Sequence, residues 1–381
     1  MHTRSSILTS TGGDPSVLRR LNLRTVLQIL HAGGVHTISA LAALSGLSRP
    51  TTKQAVDDLL SAGWITLAIL PEADEPAMGR PAAHYVFRPE AGLVLGIDLG
   101  AHKILVILAD LSGRELARSR RAVLPDISPD HRYGVMIEAI NEALVSAGYT
   151  SNAVDIATIA TVGSVDASGK VIYCKAIKDW EGQNPAAWLQ EQLGIESVGT
   201  SDMPMSALAE HWRGAAQSAQ DVVYLHAGRR LGAACLVNGR PLVGFHSAAT
   251  QIGMWRGLTW KFDYDDLMHL TGDPSGSDAA AERVFKAAAI GDMQAKQRIE
   301  QFAADMIQGI APIIITVDPE ILVIGGGVSA AGNIIAEPLR RRLRLETDFP
   351  PRVVCSTLGD EAVALGAIRT ALDLAEVKLF A

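Results

Sequence analysis

Between Leu93 and Gly100 the chain reads Leu-Val-Leu-Gly-Ile-Asp-Leu-Gly, and a second apolar run follows from Ile104 to Ala109. An apolar run of this length bounded by glycine predicts a buried strand, so at least part of the chain must cover both faces of a sheet. The strand ends in Asp98-Leu99-Gly100, a turn of the kind that lets backbone amides approach a phosphate. The pair that usually follows such a turn, Gly-Thr, is here Ala101-His102. A second outline of a phosphate loop stands at Gly228-Arg229-Arg230-Leu231-Gly232, where two bulky cations fill a turn that must admit phosphate oxygens. Both loops read as degenerate, with Asp98, Gly100, Gly228 and Gly232 as their surviving points.

Size and charge bound the rest. At 381 residues and 48% hydrophobic content the chain can bury two or three compact units. Formal net charge is -7, which advertises no global attraction to nucleic acid. The balance is uneven: residues 1 to 92 hold eight Lys/Arg and seven Asp/Glu, against 26 and 34 in the remainder. A less acidic head on an acidic body steers DNA toward the head. Cys174, Cys235 and Cys355 are odd in number and far apart, so neither a disulfide framework nor a Cys-x-x-Cys zinc site is expected, and a reducing cytoplasm fits best. The longest apolar stretches fall short of a membrane span. Residues 1–17 lack a signal-peptide core and read as a loose arm.

Residues 18–92 predict a DNA-binding head. An apolar helical stripe from Val17 to Leu30 ends at Gly33-Gly34, and Thr37 caps a short second helix. Ser45-Gly46-Leu47 makes a turn, and a third helix runs from about Ser48 to Ser61. Helix, glycine turn and helix is the helix-turn-helix plan. Val56, Leu59 and Leu60 fall on the inner face, while Ser48, Arg49, Thr51, Thr52, Lys53 and Gln54 lie in the N-terminal turns that enter a major groove. Strand-like Gly63–Ile69 and His84–Phe87 bracket a loop ending in Met78-Gly79-Arg80-Pro81, a wing that could lay Arg80 along a minor groove. A helix pair alone also fits any three-helix bundle; the Arg-Pro-Thr-Thr-Lys start, the hairpin and Gly-Arg-Pro favour DNA.

From Leu93 onward strands and helices alternate, with turns at Asp110–Gly113 and Asn238-Gly239, strands at Ile156–Val162, Val222–His226 and Ile321–Val328, and helices at Pro185–Leu193, Asp202–Trp212, about Asp278–Val317 and about Asp360–Leu374. The Gly325-Gly326-Gly327 turn either approaches a purine or ribose or lets strand and helix pack closely.

In this order of parts the chain resembles the ROK family of sugar kinases and sugar-responsive repressors, whose repressor branch carries a winged helix-turn-helix in front. The resemblance spans nearly the whole chain and rests on Gly96–Gly100, Gly163-Ser164-Val165-Asp166, Ser201-Asp202, Asn238-Gly239, Gln251-Ile252-Gly253 and Ile324–Gly327. It implies an α/β chain: a winged helix-turn-helix at 18–92, then a two-lobed actin-like ATPase fold at 93–381. Lobe one would be about 93–200 plus the C-terminal helix, and lobe two about 201–365.

The resemblance also implies a ligand cleft at Gly163, Ser201, Asp202, Gln251 and Met254. Kinase members place an Asp at the start of the helix holding Asp202, where it takes a proton from a sugar hydroxyl. Asp202 can do that or simply cap its helix. Their Gly-Glu-x-Gly-His motif is here Thr250-Gln251-Ile252-Gly253-Met254, which lacks the charge and the imidazole, and Trp255–Met268 holds no cysteine for structural zinc. His246 and His269 read as ordinary histidines. The expectation is a repressor-type homodimer or higher oligomer that binds a double-stranded DNA operator. It would take a sugar or sugar-derivative effector, with no cofactor, metal, catalytic residue or membrane. The alternatives are an ATP-dependent sugar kinase with an appended DNA-binding head, and a DNA-binding protein that needs no ligand.

Overall fold

A computed structural model describes residues 15–69, 82–227, 231–251 and 278–379. The chain forms two compact units. The first takes in the chain up to Gly92 together with Asp110–Ser112 and the residues from Ala375 on; the second takes in Leu93–Ala109 and Gly113–Leu374.

In the first unit helix α1 (Pro15–His31) is followed by strand β1 (His36–Thr37), α2 (Ile38–Ser45), α3 (Arg49–Ala62), β2 (Ile65–Leu67) and β3 (His84–Phe87). The boundaries are chemical. Thr37 Oγ1 accepts the Ala40 N–H at 3.2 Å, Gly46 leaves α2 with φ +71°, and Gly63 closes α3 with φ +80°. The helices enclose Val26, Leu30, Leu41, Val56 and Leu59, each at most 4% exposed. Each such side chain contributes roughly 1.5–3 kcal/mol. Strand β3 lies between β1 and β2 in an antiparallel sheet, with Thr37 opposite His84 and Ile65 opposite Phe87. Helices, turn and returning hairpin match the expected winged helix-turn-helix; β1 was not foreseen.

The second unit repeats one plan twice. The first sheet is ordered β10-β7-β4-β5-β6 and the second β13-β12-β11-β14-β15. Its strands are β4 (Leu93–Leu99), β5 (Lys103–Asp110), β6 (Glu115–Ala122), β7 (Val154–Thr161) and β10 (Ser197–Ser201), then β11 (Val222–Ala227), β12 (Leu231–Val237), β13 (Arg240–Pro241), β14 (Ile321–Gly325) and β15 (Arg352–Cys355). In each sheet the earliest strand is central, the next two extend to one edge, and the later two run parallel to the centre on the other side. Strand β4 is buried at every position, as its apolar run from Leu93 to Ile97 leads one to expect, and it carries Asp98 inside with it. A small hairpin, β8 (Ser164–Val165) and β9 (Val171–Tyr173), follows β7.

Helices α4 (Pro129–Ser146) and α5 (Pro185–Leu193) belong to the first lobe; α7 (Asp278–Ala289), α8 (Met293–Val317) and α9 (Asn333–Glu346) belong to the second. Helix α6 (Asp202–Arg213) serves both lobes. Ala207 joins the core of the second sheet with Tyr224 and Val323, whereas Met205 and Leu208 pack on Ala160 of β7 and Ala367 of the last helix, α10 (Ala362–Leu379). The two helices cross so closely that a Cβ on Gly366 would collide with the Met205 carbonyl, and one on Gly96 would collide with the Ala364 carbonyl. Glycine at these two positions lets α10 lie against both α6 and β4.

Candidate DNA-binding helix and ligand cleft

Helix α3 presents a polar N-terminal turn. Ser48 accepts the Thr51 N–H at 3.3 Å, its hydroxyl lies 2.8 Å from Thr51 Oγ1, and no acidic residue occupies the first turn. The positive end of the helix dipole is therefore not offset by a carboxylate within the first turn. Ser48, Arg49, Lys53 and Gln54 are exposed and Thr51 is half-buried. Thr52 departs from expectation: it is fully buried, and its hydroxyl donates to the Ser48 carbonyl at 3.0 Å. It belongs to the helix–helix packing and offers nothing to a base edge. A threonine hydroxyl one turn into a helix finds the carbonyl four residues back.

The same face carries carboxylates one turn on. Lys53 Nζ lies 2.6 Å from Asp57, and Gln54 donates to Asp58 at 3.1 Å. Asp58 also takes a forked bond from Arg19, both contacts at 2.8 Å, and that guanidinium holds its carboxyl below the usual range. These exposed pairs are worth little in stability. Their effect is to fix where the cations and the amide stand. Arg80 lies outside the described residues.

At the first phosphate-loop outline the Gly100 amide and the Asp98 carboxylate are engaged within the protein. The Gly100 N–H donates to the Lys103 carbonyl at 2.9 Å, and Lys103 Nζ sits 3.2 Å from the buried Asp98 carboxylate. Burial pushes Asp98 up and Lys103 pulls it back down. Lys103 also meets Asp360, which pairs in turn with Arg120. Beneath the turn Arg132 is fully buried, donating from Nη1 to the Gly100 carbonyl at 2.5 Å and from Nη2 to the Leu124 carbonyl at 2.6 Å. Its guanidinium lies over Trp180, whose indole N–H bonds Thr161 at 2.9 Å. Sequence reasoning passed over Arg132 and Lys103, because their partners come together only in the fold.

The glycines of the second lobe answer to packing. A Cβ on Gly232 would lie 2.8 Å from Met203 Sδ, one on Gly325 would strike the Tyr224 hydroxyl, and one on Gly326, at φ +76°, would strike the Ala227 carbonyl. Tyr224 is buried, which drives its phenol well above its ordinary range. His226, at the end of β11, is pushed down to about 4 by burial and by the charge of Lys103. Gly228, Arg229 and Arg230 lie outside the described residues.

Ser201 and Gln251 line one cavity of 310 Å³ between α6, α10 and the β12–β13 turn. Ser201 is buried at the N-cap of α6, but its Oγ accepts the Val165 N–H at 3.0 Å. Gly163 and Asp202 do not line this cavity. Gly163 has φ +107° and no room for a Cβ beneath the Tyr173 carbonyl, so it shapes the β8–β9 hairpin. Asp202 is buried in the first turn of α6, where its Oδ1 accepts the Met203 N–H at 2.9 Å. Met254, the cysteine-free stretch Trp255–Met268 and His269 lie outside the described residues; His246 is exposed. Among the described residues no group of three or more His, Cys, Asp or Glu could hold a metal ion.

Glu210 was not foreseen. It is fully buried on α6, accepting the Ala215 N–H at 2.7 Å, the Leu358 N–H at 3.3 Å and the Ser356 hydroxyl. One carboxylate thus ties α6 to the loops after it and after β15. The helical period of α6, which sets Glu210 on the same side as Ser206 and Met203, was the available signal.

Comparison with known proteins fits this architecture. A model of the ROK family matches residues 94–256 and 265–373, and a winged helix-turn-helix DNA-binding model matches residues 19–66. The xylose repressor of Caldicellulosiruptor bescii is 21% identical over 392 residues, covering 93% of this chain and 96% of that protein. The glucokinase of Thermotoga maritima is 26% identical over 310 residues, covering 72% and 95%. The crystal structure of a ROK family transcriptional regulator homologous to the E. coli MLC protein superposes with a TM-score of 0.73 at 21% identity, covering 95% of this chain and 99% of that one. A ROK family glucokinase from Streptomyces griseus, in complex with glucose and AMPPNP, gives 0.61 at 23% identity, covering 74% and 100%. No helix among the described residues is long and apolar enough to cross a membrane.

Proposed function

The chain belongs to the ROK family, and we propose that it is a DNA-binding transcriptional regulator that acts as a repressor. The winged head grips a two-fold operator. The two-lobed body joins two copies and receives a sugar-type effector, whose preference for one arrangement of the heads shifts DNA affinity. The observation that carries this reading is the exposed, acid-free N-terminal turn of α3, with Ser48, Arg49 and Thr51 at its tip, mounted on a winged-helix scaffold. Whole-length similarity to a xylose repressor supports it. The reading places the protein in the cytoplasm, with DNA.

The body is read as non-phosphorylating. Phosphoryl transfer depends on positioning the triphosphate and its metal. The Gly100 amide and the Asp98 carboxylate, which would serve that purpose, are bonded to Lys103. One observation favours the kinase reading: a buried aspartate stands at the start of α6, where a general base is expected. A coupled assay with magnesium-ATP and a sugar panel separates the two. Turnover abolished by Asp202→Asn supports the kinase; its absence alongside salt-dependent operator binding supports the regulator.

A further inference from the structure

The lining of the 310 Å³ cavity is mostly apolar. Val165, Met205, Leu208 and Ala233 form a buried floor, and Val243 stands half-exposed at the mouth. Several of the polar side chains along it are engaged within the protein. The Thr250 hydroxyl donates to the Ala233 carbonyl at 2.8 Å, Thr370 Oγ1 lies 3.2 Å from Met205 Sδ, and Asp373 pairs with Arg369. Arg240 lies exposed at the rim, where its charge can stay in water.

A free sugar offers a hydroxyl on nearly every ring carbon, and each one buried without a partner costs about 1–3 kcal/mol. The Gln251 amide and the Ser201 hydroxyl, which already accepts from Val165, can meet polar groups of a ligand in the cavity. Beside Met205 the Thr370 hydroxyl is already engaged with the Met205 sulfur. A volume near the lower limit of ligand sites leaves room for a ring and one substituent.

We propose that the effector is a glycoside with an apolar aglycone, its sugar ring at Gln251 and Ser201 and its alkyl or aryl group between Met205, Leu208 and Val243. The inference deepens the proposed sugar-responsive role and rests on it. Laying an aryl ring on this floor is worth roughly a hundredfold in affinity over the parent sugar.

The test is calorimetric titration of the full chain with phenyl glycosides of common hexoses and pentoses, each against its free sugar and against phenol. At least one phenyl glycoside should bind some thirty- to hundredfold more tightly than its parent sugar, with phenol weaker still. Val243→Asp, at the mouth where a charge can be solvated, should remove most of that advantage. Leu208→Trp, which fills the floor, should do the same, with an unchanged melting curve of the unliganded variant as the check on folding. A free sugar that binds as tightly as its glycoside, unaffected by Val243→Asp, overturns the aglycone assignment and leaves the sugar-responsive role intact. Phenol binding as tightly as the glycoside also overturns it. If no sugar or glycoside binds, the assignment and the effector role fall together, while operator binding is judged separately.

Discussion

Lys103 and Asp98 face each other at 3.2 Å across a turn closed by the Gly100 N–H, so a carboxylate at the end of β4 is neutralised by an ammonium from the next strand. Asp98 is 4% exposed. Removing the cation leaves a buried carboxylate without its partner, which typically costs about 3–5 kcal/mol. Lys103→Met should therefore lower the melting temperature. The sign with pH follows from Asp98, whose folded-state pKa is raised by burial and would rise further without Lys103. A raised carboxylate destabilises once pH exceeds its unfolded value, so the deficit of Lys103→Met should shrink as pH falls from 7 toward 4. A deficit that is constant over that range contradicts the pairing.

His226 has the opposite sense. Its folded-state value of about 4 lies below the ordinary 6.5, so the unfolded chain takes up the proton first and stability is lost as pH falls from about 6.5 to about 4. His226→Gln should flatten that part of the stability curve, measured by urea denaturation at a series of pH values. An unaltered slope would contradict a half-buried imidazole held neutral in the fold.

Arg49 stands exposed at the first position of α3. Arg49→Ala should weaken operator binding and reduce the slope of log affinity against log salt by about one. Fluorescence anisotropy at several salt concentrations measures both, and an unchanged slope removes Arg49 from the phosphate contacts.

Thr52 gives the converse case. Its hydroxyl is spent on the Ser48 carbonyl, so Thr52→Val should cost about 1 kcal/mol of stability. It should leave the salt dependence of DNA binding by the folded protein as it was. A changed salt slope would put Thr52 back in the interface.

Much of this fold is legible because its signals are local. The cap at Thr37 and the turn at Asn238-Gly239, with φ +52° and +71°, each need only neighbouring residues. Helix α5 begins at Pro185 and ends at Gly194 for the same reason. Strand β1 is two residues long and exists only because β3 returns to pair with it. Helix α4 carried a readable pattern, a Ser128 cap followed by Tyr133, Met136, Ile140 and Leu144 on its buried side, and was passed over, as was α9. The candidate sites are less legible. Arg132, Lys103 and Glu210 take their roles from carbonyls, carboxylates and amides distant in sequence. Thr52 was assigned outward from residue type alone, whereas its burial depends on how α3 rolls against α1 and α2. Gly232 reads as a loop residue and Gly325-Gly326 as a turn that either meets a ligand or packs closely, and the positions of Met203, Tyr224 and Ala227 show the close packing at all three.

The most direct test of the central claim is a titration of the full chain with DNA from upstream of its own gene, by fluorescence anisotropy against an equal length of unrelated duplex. The account predicts a specific fragment bound at least a thousandfold more tightly than the unrelated duplex, with affinity falling steeply as salt rises. Equal, weak binding to both duplexes by a protein that hydrolyses ATP in step with sugar would contradict it.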